Sequence, residues 1–459
     1  MVSNILKKQP QVENKETNQR RKKVFIKTFG CQMNVNDSER IKGILASLGY
    51  EFTNDWKEAD LILLNTCTVR ERPDRKVLAH LGEYKKVKKI NPNAKIGVCG
   101  CLAQRMGEEL DKRAGGIIDI MFSSYNIHHL PELLKKAEKG EKAIEILPEP
   151  PKDEWKMFEY PTIRENPYWA FITIMKGCDK DCTYCIVPQT RGRERSRPIR
   201  SILEEIKSLV KDGVKEIHLL GQNVTAWGKD FENPIPFSYL LYKIAEIDGV
   251  ERIRFTTGYP TDLTDDVIKA MGEIPQIAKA LHLPFQSGSN RILKLMHRYY
   301  TKEEYLEKIQ KLKEVKPGIA LSADVIVGFP GETEEDFLET LDVLEKVRFE
   351  QLFSFKYSPR PGTPAAEYPN QVPDDVKTER MHRLLEVQKR IMNEEAKKYE
   401  GKTVEVLFER YSDGKLIGRS SENKWVEVNS DRKELLGKIV PVKVNKASVY
   451  VLYGDILEN

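Results

Sequence analysis

No stretch of the 459-residue chain approaches about eighteen consecutive apolar residues, and charged residues make up 32% of it, which excludes a membrane-spanning helix. A strong charge excess is also missing. Lys+Arg number 75 against 70 Asp+Glu, a formal charge of +5, so the chain is not one that simply coats nucleic acid, and any such contact must be local. Cysteine is scarce and odd in number, at seven, and Met1 to Arg20 is polar with no apolar core of a secretion leader. A disulfide framework is therefore not expected. The expected compartment is the reducing cytoplasm, where clustered cysteines bind metal or do redox chemistry. The length also excludes a single ordinary core and predicts about two to four domains.

What is present is an alternation of strand and helix patterns. After the polar start, apolar runs at Val24–Phe29, Leu61–Asn65 and Lys95–Cys99 alternate with helical patterns at Asp37–Leu48 and Arg72–Ile90, which predicts a small parallel α/β domain. Leu147–Tyr168 holds five prolines and no sustained period, marking a linker or strap. Strand patterns resume at Ala170–Met175, Glu216–Leu220, Arg252–Thr256, Ala280–Leu283, Leu321–Val327 and Gln351–Tyr357, with helices such as Ile199–Lys211, Lys302–Val315 and Glu334–Val347 between them. A parallel barrel, complete or partial, follows. Pro373–Tyr399 reads as a long charged amphipathic helix. Short strands at Thr403–Phe408, Lys424–Val428, Ile439–Val444 and Ser448–Leu452 then predict a small closing β-barrel.

The segment Cys178-Asp179-Lys180-Asp181-Cys182-Thr183-Tyr184-Cys185 lies just past the first strand of the barrel-like region, where loops at carboxyl strand ends build active sites. Three thiolates fill three irons of a four-iron cubane and leave the fourth open to substrate. Structural zinc, the alternative, needs a fourth protein ligand, and the nearest histidine after the segment is His218, a helix and a strand away. The C-x3-C-x2-C loop with an aromatic before its last cysteine resembles the signature of the radical S-adenosylmethionine superfamily. The resemblance implies a [4Fe-4S] cluster on Cys178, Cys182 and Cys185, with S-adenosylmethionine chelating the open iron and cleaved to a 5′-deoxyadenosyl radical. Tyr184 would lie against the cofactor or pack in the core.

Cys31, Cys67 and Cys101 each follow one of the first three strands, at the sheet edge where ligands bind in open α/β folds, so their sulfurs should converge. Buried apolar filler is the other reading for each. Gly30-Cys31-Gln32-Met33-Asn34, Asn65-Thr66-Cys67-Thr68-Val69-Arg70 and Gly100-Cys101-Leu102-Ala103-Gln104 closely resemble the N-terminal domain of the methylthiotransferases. That family pairs a second three-cysteine [4Fe-4S] cluster with the radical one, and the resemblance runs from about Lys22 to the C-terminus. Cys99, last in a buried strand pattern with Ile96 and Val98, reads as core, with a redox or spare-ligand role as the alternative.

Further positions fall at the same barrel mouth. Gly221, Gln222 and Asn223 follow the second strand, where the superfamily places a loop meeting the amino group of S-adenosylmethionine; an ordinary turn is the alternative. Gln286 and Ser287 follow the fourth strand, and Val327 with Gly328, Phe329 and Pro330 the fifth. Gly328–Thr333 also reads as a turn followed by a helix N-cap. Five arginines between Arg191 and Arg200 follow the cysteine loop directly. Arg191, Arg193, Arg195 and Arg197 are thus candidates for phosphate or carboxylate binding, against an ordinary charged surface. The C-terminal barrel resembles the TRAM domain, an RNA-binding module, with Arg410, Lys415, Arg419 and Trp425 as contact candidates.

The resemblance implies this organisation: a disordered tail (1–21), a methylthiotransferase N-terminal domain (22–146), a linker (147–168), a radical S-adenosylmethionine domain forming a partial (β/α)6 barrel (169–396) and a TRAM domain (397–459). Leu219–Gly228, Cys182–Pro198 and Phe255–Pro260 look like the MiaB-type branch, which converts N6-isopentenyladenosine at tRNA position 37 to its 2-methylthio derivative. One S-adenosylmethionine would methylate a sulfur held at the N-terminal cluster, and another would yield the radical that takes hydrogen from adenine C2. That chemistry requires both cysteine triads to face one pocket. Implied partners are the tRNA and an external flavodoxin- or ferredoxin-like electron donor, with the chain a monomer in the cytoplasm. The alternatives are the threonylcarbamoyladenosine branch, with a bulkier charged substrate, and a non-catalytic iron–sulfur redox sensor that binds RNA. The sequence names no general acid or base.

Overall fold

A computed structural model describes residues 20–68 and 71–457; residues 1–19 of the expected tail, and Val69 and Arg70 of the second cysteine motif, lie outside the described residues. β1 (Lys23–Thr28) leads through α1 (Gln32–Ser47) and β2 (Glu51–Phe52) to β3 (Leu61–Thr66), α2 (Glu71–Tyr84), α3 (Val87–Ile90) and β4 (Lys95–Gly100). After α4 (Cys101–Met106) and α5 (Glu108–Arg113) come β5 (Ile120–Phe122), α6 (Leu130–Glu138) and β6 (Ala143–Glu145). All six strands are parallel, in the order β2-β1-β3-β4-β5-β6. β3 is buried along its whole length, as a strand covered on both faces must be. Ile41, Ile44 and Leu45 of α1 and Leu133 of α6 cover one face; Val77, Leu81 and Leu102 cover the other.

The prolines of 147–168 mark a strap that is packed, not loose. Its Glu154–Phe158 turn buries Glu154 and Met157, and Pro161 O lies so close to α1 that a Cβ on Gly43 would come within 1.7 Å of it. Only glycine fits there.

Beyond the strap the order is β7 (Trp169–Thr173), β8 (Met175–Lys176), α7 (Val187–Arg191), β9 (Arg195–Ser196), α8 (Ile199–Lys211), β10 (Glu216–Leu220), α9 (Phe237–Ala245) and β11 (Arg252–Phe255). It continues through α10 (Asp265–Glu273), β12 (Ala280–His282), α11 (Asn290–Leu295), α12 (Lys302–Val315), β13 (Ala320–Val327), α13 (Glu334–Val347) and β14 (Gln351–Lys356). β7, β10 and β11 form one parallel sheet and β12, β13 and β14 another, joined by a parallel bridge between Thr256 and His282. The result is an incomplete barrel, because β7 and β14 do not pair among the described residues. Its helices bury Ile202, Ile206, Leu240, Val267, Leu312 and Phe337 against the strands.

α14 (Asp374–Lys397) connects to a closed barrel of β15 (Thr403–Ser412), β16 (Lys415–Ser420), β17 (Trp425–Asn429), β18 (Ile439–Ala447) and β19 (Val451–Ile456), ordered β15-β16-β17-β19-β18. This barrel sits on the amino ends of the central strands. Trp169 Nε1 donates to Glu409 (2.7 Å), Arg252 donates to the carbonyls of Glu405 (3.0 Å) and Arg419 (3.2 Å), and Lys424 pairs with Glu350 (2.7 Å). Glu216, beneath these contacts, holds Arg252 (3.0 Å) and Arg254 (2.8 Å) in place.

Three expectations change. α1 begins at Gln32 and not at Asp37, because Asn34, Asn36, Asp37, Ser38, Glu39 and Arg40 are buried polar residues that break the apolar period. The strand expected over Ala170–Met175 divides after Thr173, where Met175–Lys176 turns to pair with β9. β16 was not expected; a two-residue turn at Asp413-Gly414, both at positive φ, joins it to β15. Among the described residues no helix is long and apolar enough to cross a membrane.

Candidate active site

Cys31 is the N-cap of α1, Cys67 directly follows β3 and Cys101 opens α4, so all three leave the carboxyl edge of adjacent strands. Close packing holds this edge. Asn34 accepts from the Cys31 amide (3.4 Å) and donates to Asn65 Oδ1 and Thr66 O (3.1 Å each), while Asn65 donates to Asn34 O (2.8 Å). A Cβ on Gly30 would come within 2.7 Å of Cys67 Cβ. The positive end of α1 points here, which favours an anionic ligand set. Cys99 is buried in the apolar core under α1 and α6, as expected.

The loop Cys178–Cys185 is fastened on all sides. The Gly177 amide donates to Gln222 Oε1 (2.6 Å), the Cys178 amide to Gly192 O (3.1 Å) and the Thr183 amide to Met296 O (3.1 Å). Gly177 has φ +80°, and a Cβ there would lie 1.8 Å from Arg193 O. Burial pushes the Cys178 thiol up to about 12 and, with Cys182 beside it, the Cys185 thiol up to about 11. Bare thiolates are thus unfavourable here until a cation joins them. One cation is already present: Arg298 Nη1 lies 3.6 Å from Cys182 Sγ, with its guanidinium over the Tyr259 ring at 4.1 Å.

The two cysteine edges meet through α7. Arg191, six residues past Cys185, donates from Nε to Cys101 Sγ (3.1 Å) and from Nη1 to Asp37 Oδ2 (3.0 Å), with Arg191 3% and Asp37 2% exposed. Around the N-terminal triad, Asp37 Oδ1, Thr68 Oγ1 and Arg191 Nη2 are buried without a hydrogen-bond partner. Orphaned polar atoms beside three thiols fit a polar, sulfur-ligated group.

The other expected positions divide. Gln222 holds the cysteine loop, and Asn223 donates to Glu194 (3.1 Å) and Asp262 (2.6 Å) beneath it. Gly221 packs against Met175, leaving no room for a side chain. Gln286 has φ +66°, a strained conformation held by pairing with Asp324 O (3.0 Å) and Ile326 N (2.9 Å). Ser287 and Val327 are buried next to it, and Tyr184 packs edge-on against Phe329. Thr333 caps α13 as a capping box, so Gly328–Thr333 is explained by the turn and cap.

Three of the arginines expected on phosphate are instead internal. Arg191 is described above, Arg197 is buried against Glu205 and Thr173 O, and Arg195 pairs with buried Glu154 (2.5 Å). The counter-charges of Arg191 and Arg195 lie far away in sequence, which is why the run reads as a free basic patch, while that of Arg197 lies in the next helix. Arg193, 82% exposed and paired only loosely with Asp179 at 3.7 Å, is the one of the four that faces solvent. Arg419 and Arg410 lie over the Trp425 ring at 4.1 and 5.2 Å, and Lys415 pairs with Glu427 (3.0 Å). A cleft of about 240 Å³ joins Arg419 and Trp425 to Arg254, Thr256, His282 and Ser322 of the incomplete barrel.

Sequence reasoning missed Arg298, Asp37 and Thr257. Thr257, a β-branched residue at φ +68° beyond β11, is strained at the barrel mouth. No local motif announces Arg298 or Asp37, whereas Thr257 lies within the Phe255–Pro260 segment.

Three family models match: "Uncharacterized protein family UPF0004" over residues 23–123, the radical SAM superfamily over 172–344 and the TRAM domain over 397–457. The tRNA-2-methylthio-N(6)-dimethylallyladenosine synthase of Aquifex aeolicus is 68% identical, covering 95% of this chain and 99% of its own. Proteins of the same name from Sulfurihydrogenibium sp. (58%, covering 95% and 99%) and Clostridioides difficile (46%, covering 96% and 92%) are also similar. Among solved structures, the radical S-adenosylmethionine methyltransferase TsrM of Kitasatospora setae aligns at a TM-score of 0.56 and 16% identity, covering 76% of this chain and 77% of that one, a likeness of fold.

Proposed function

This chain belongs to the family of tRNA-2-methylthio-N(6)-dimethylallyladenosine synthases, and on that basis we propose that it converts N6-isopentenyladenosine beside the tRNA anticodon to the 2-methylthio derivative. It acts as a radical S-adenosylmethionine enzyme. In this reading residues 22–146 handle sulfur, 169–396 generate the radical and 397–459 hold RNA, joined by the strap 147–168. The single observation that supports it best is Arg191, which starts from the radical loop and ends on Cys101.

An iron–sulfur cluster bound by Cys178, Cys182 and Cys185 would supply the electron that cleaves S-adenosylmethionine, and a second on Cys31, Cys67 and Cys101 would carry the sulfur that is methylated and joined to adenine C2. The protein's own residues prepare these places. Arg298 and Arg191 set positive charge beside Cys182 and Cys101, offsetting the repulsion among buried thiolates. Gln222 and Gly177 fix the start of the loop that carries the three cysteines. Tyr184, Gln286, Ser287 and Val327 would wall the mouth, and the burial of the last three limits water that would quench a radical. Arg193 and Arg419, with Trp425, are the anion and stacking contacts offered to RNA. An external flavodoxin- or ferredoxin-like protein delivers electrons to a monomer in the cytoplasm.

The test is mass spectrometry of nucleosides from isopentenyladenosine-containing tRNA, incubated with anaerobically reconstituted protein, reductant and S-adenosylmethionine. Cys182→Ala should abolish both 5′-deoxyadenosine and the 2-methylthio product. Cys31→Ala should lose the product while still cleaving S-adenosylmethionine. Wild-type protein that forms 5′-deoxyadenosine but leaves this tRNA unchanged would refute the substrate.

A further inference from the structure

We propose that His128, His129 and Asp153 form a binding site for a divalent transition-metal ion of the zinc class, separate from both cysteine triads, that pins the strap to the N-terminal sheet. His128 and His129 end the short turn Ile127–His129 after β5, and Asp153 caps the strap turn Glu154–Phe158. One ring nitrogen from each histidine and one carboxylate oxygen of Asp153 lie within 4.8 Å of one another. Nitrogen and carboxylate donors of this kind are those zinc takes.

His128 is the observation that demands a ligand. It is 7% exposed, yet neither Nδ1 nor Nε2 has a hydrogen-bond partner. Its Nε2 stands 3.3 Å from Asp153 Oδ1 without the alignment of a hydrogen bond. Donors about 2.0–2.1 Å from a tetrahedral ion are separated by about 3.3 Å, so this spacing is that of two ligands sharing a metal. A buried imidazole left unpaired is costly, and an ion between the two groups satisfies both.

The surroundings fit. Glu145 Oε2 lies 3.0 Å from His129 Nδ1, the carboxylate–histidine contact that orients metal-binding rings. Lys156 takes the other oxygen of Asp153, Oδ2, at 3.1 Å and leaves Oδ1 facing His128. Asp153 is 39% exposed and His129 partly so, which gives an ion a way in and water a coordination position. The adjoining Glu154 pairs with Arg195, just beyond the cysteine loop, so an ion at Asp153 would steady the strap where the sheet meets the barrel.

Free thiols would compete for zinc, so the experiment uses the chain with its cysteines loaded with iron–sulfur clusters. Protein titrated with Zn²⁺ is passed through gel filtration, and zinc and iron are counted by elemental analysis. One zinc per chain with no loss of iron is expected, together with a higher melting midpoint. Asp153→Ala and His129→Ala, both at partly exposed positions, should weaken zinc binding at least tenfold, keep their iron and lose the zinc-dependent rise in melting. Zinc retained equally by wild type and both variants, zinc that displaces iron, or no zinc retained by wild type would each overturn the proposal.

Discussion

Arg191 and Asp37 make the most direct quantitative test of how the two cysteine edges are joined. Both are almost fully buried, they come from elements 154 positions apart, and their contact at 3.0 Å is accompanied by the Arg191 contact to Cys101 at 3.1 Å. Removing one member of a buried pair leaves an uncompensated charge, which costs on the order of 3–5 kcal/mol. Arg191→Gln and Asp37→Asn should each destabilise the apoprotein by roughly that amount. The double variant, with two neutral amides, should be less destabilised than the sum of the two by more than about 2 kcal/mol, since neither charge is then stranded. Urea denaturation can be followed through Trp155 of the strap and Trp169 of β7, with the other tryptophans replaced by phenylalanine. Effects that add to within about 0.5 kcal/mol would refute the coupling, because residues that do not interact are additive at that level.

Further outcomes follow from other contacts. Gly177→Ala places a Cβ against Arg193 O at φ +80° and should lower iron bound by the central triad well below that of wild type, measured after reconstitution. Arg193→Ala should weaken tRNA binding with an unchanged melting midpoint, whereas Arg197→Ala should lower the midpoint, because only the first side chain faces solvent. Burial opposes ionisation of Glu216, but Arg254, His218 and Arg252 more than offset it, so its carboxyl is held well below the usual 4.5. Its stabilising contribution is therefore present above about pH 4.5 and lost as pH falls below that. Glu216→Gln should loosen the C-terminal barrel above that pH and equal wild type in strong acid, read as the rate of proteolysis between residues 397 and 403. Arg419→Ala should reduce the salt dependence of RNA affinity by about one ion.

The strands were legible because buried parallel strands are continuous apolar runs, as in Leu61–Thr66, and the six cysteines stand out by position and motif. The first half of α1 was not, since its polar residues find partners more than a hundred positions away: Asn36 with Phe171 O (3.1 Å) and Thr173 (2.8 Å), Arg40 with Glu205. The same cause misled the reading of Arg191 and Arg195, whose charges are cancelled by Asp37 and Glu154 outside any local window, whereas Arg197 pairs with Glu205 of the next helix. β16 had a visible sign in Asp413-Gly414, a dipeptide suited to tight hairpins. Arg298 carries no sign at all, because its importance comes only from lying 3.6 Å from Cys182.

The terminal barrel caps the amino ends of the central strands, while both cysteine triads lie beyond carboxyl ends. An eight-residue strand such as Ala320–Val327 is about 26 Å long, so along the tilted strands of the incomplete barrel the terminal barrel and the cysteine mouth are set apart by up to about that distance. Buried ion pairs to Glu216 and backbone carbonyls stop the terminal barrel from shifting on these strands. Under the proposed function the molecule would work as a gauge. In the proposed function, a nucleotide would be chosen by how far it lies along the RNA from the segment held at the terminal barrel, with base identity checked at the mouth.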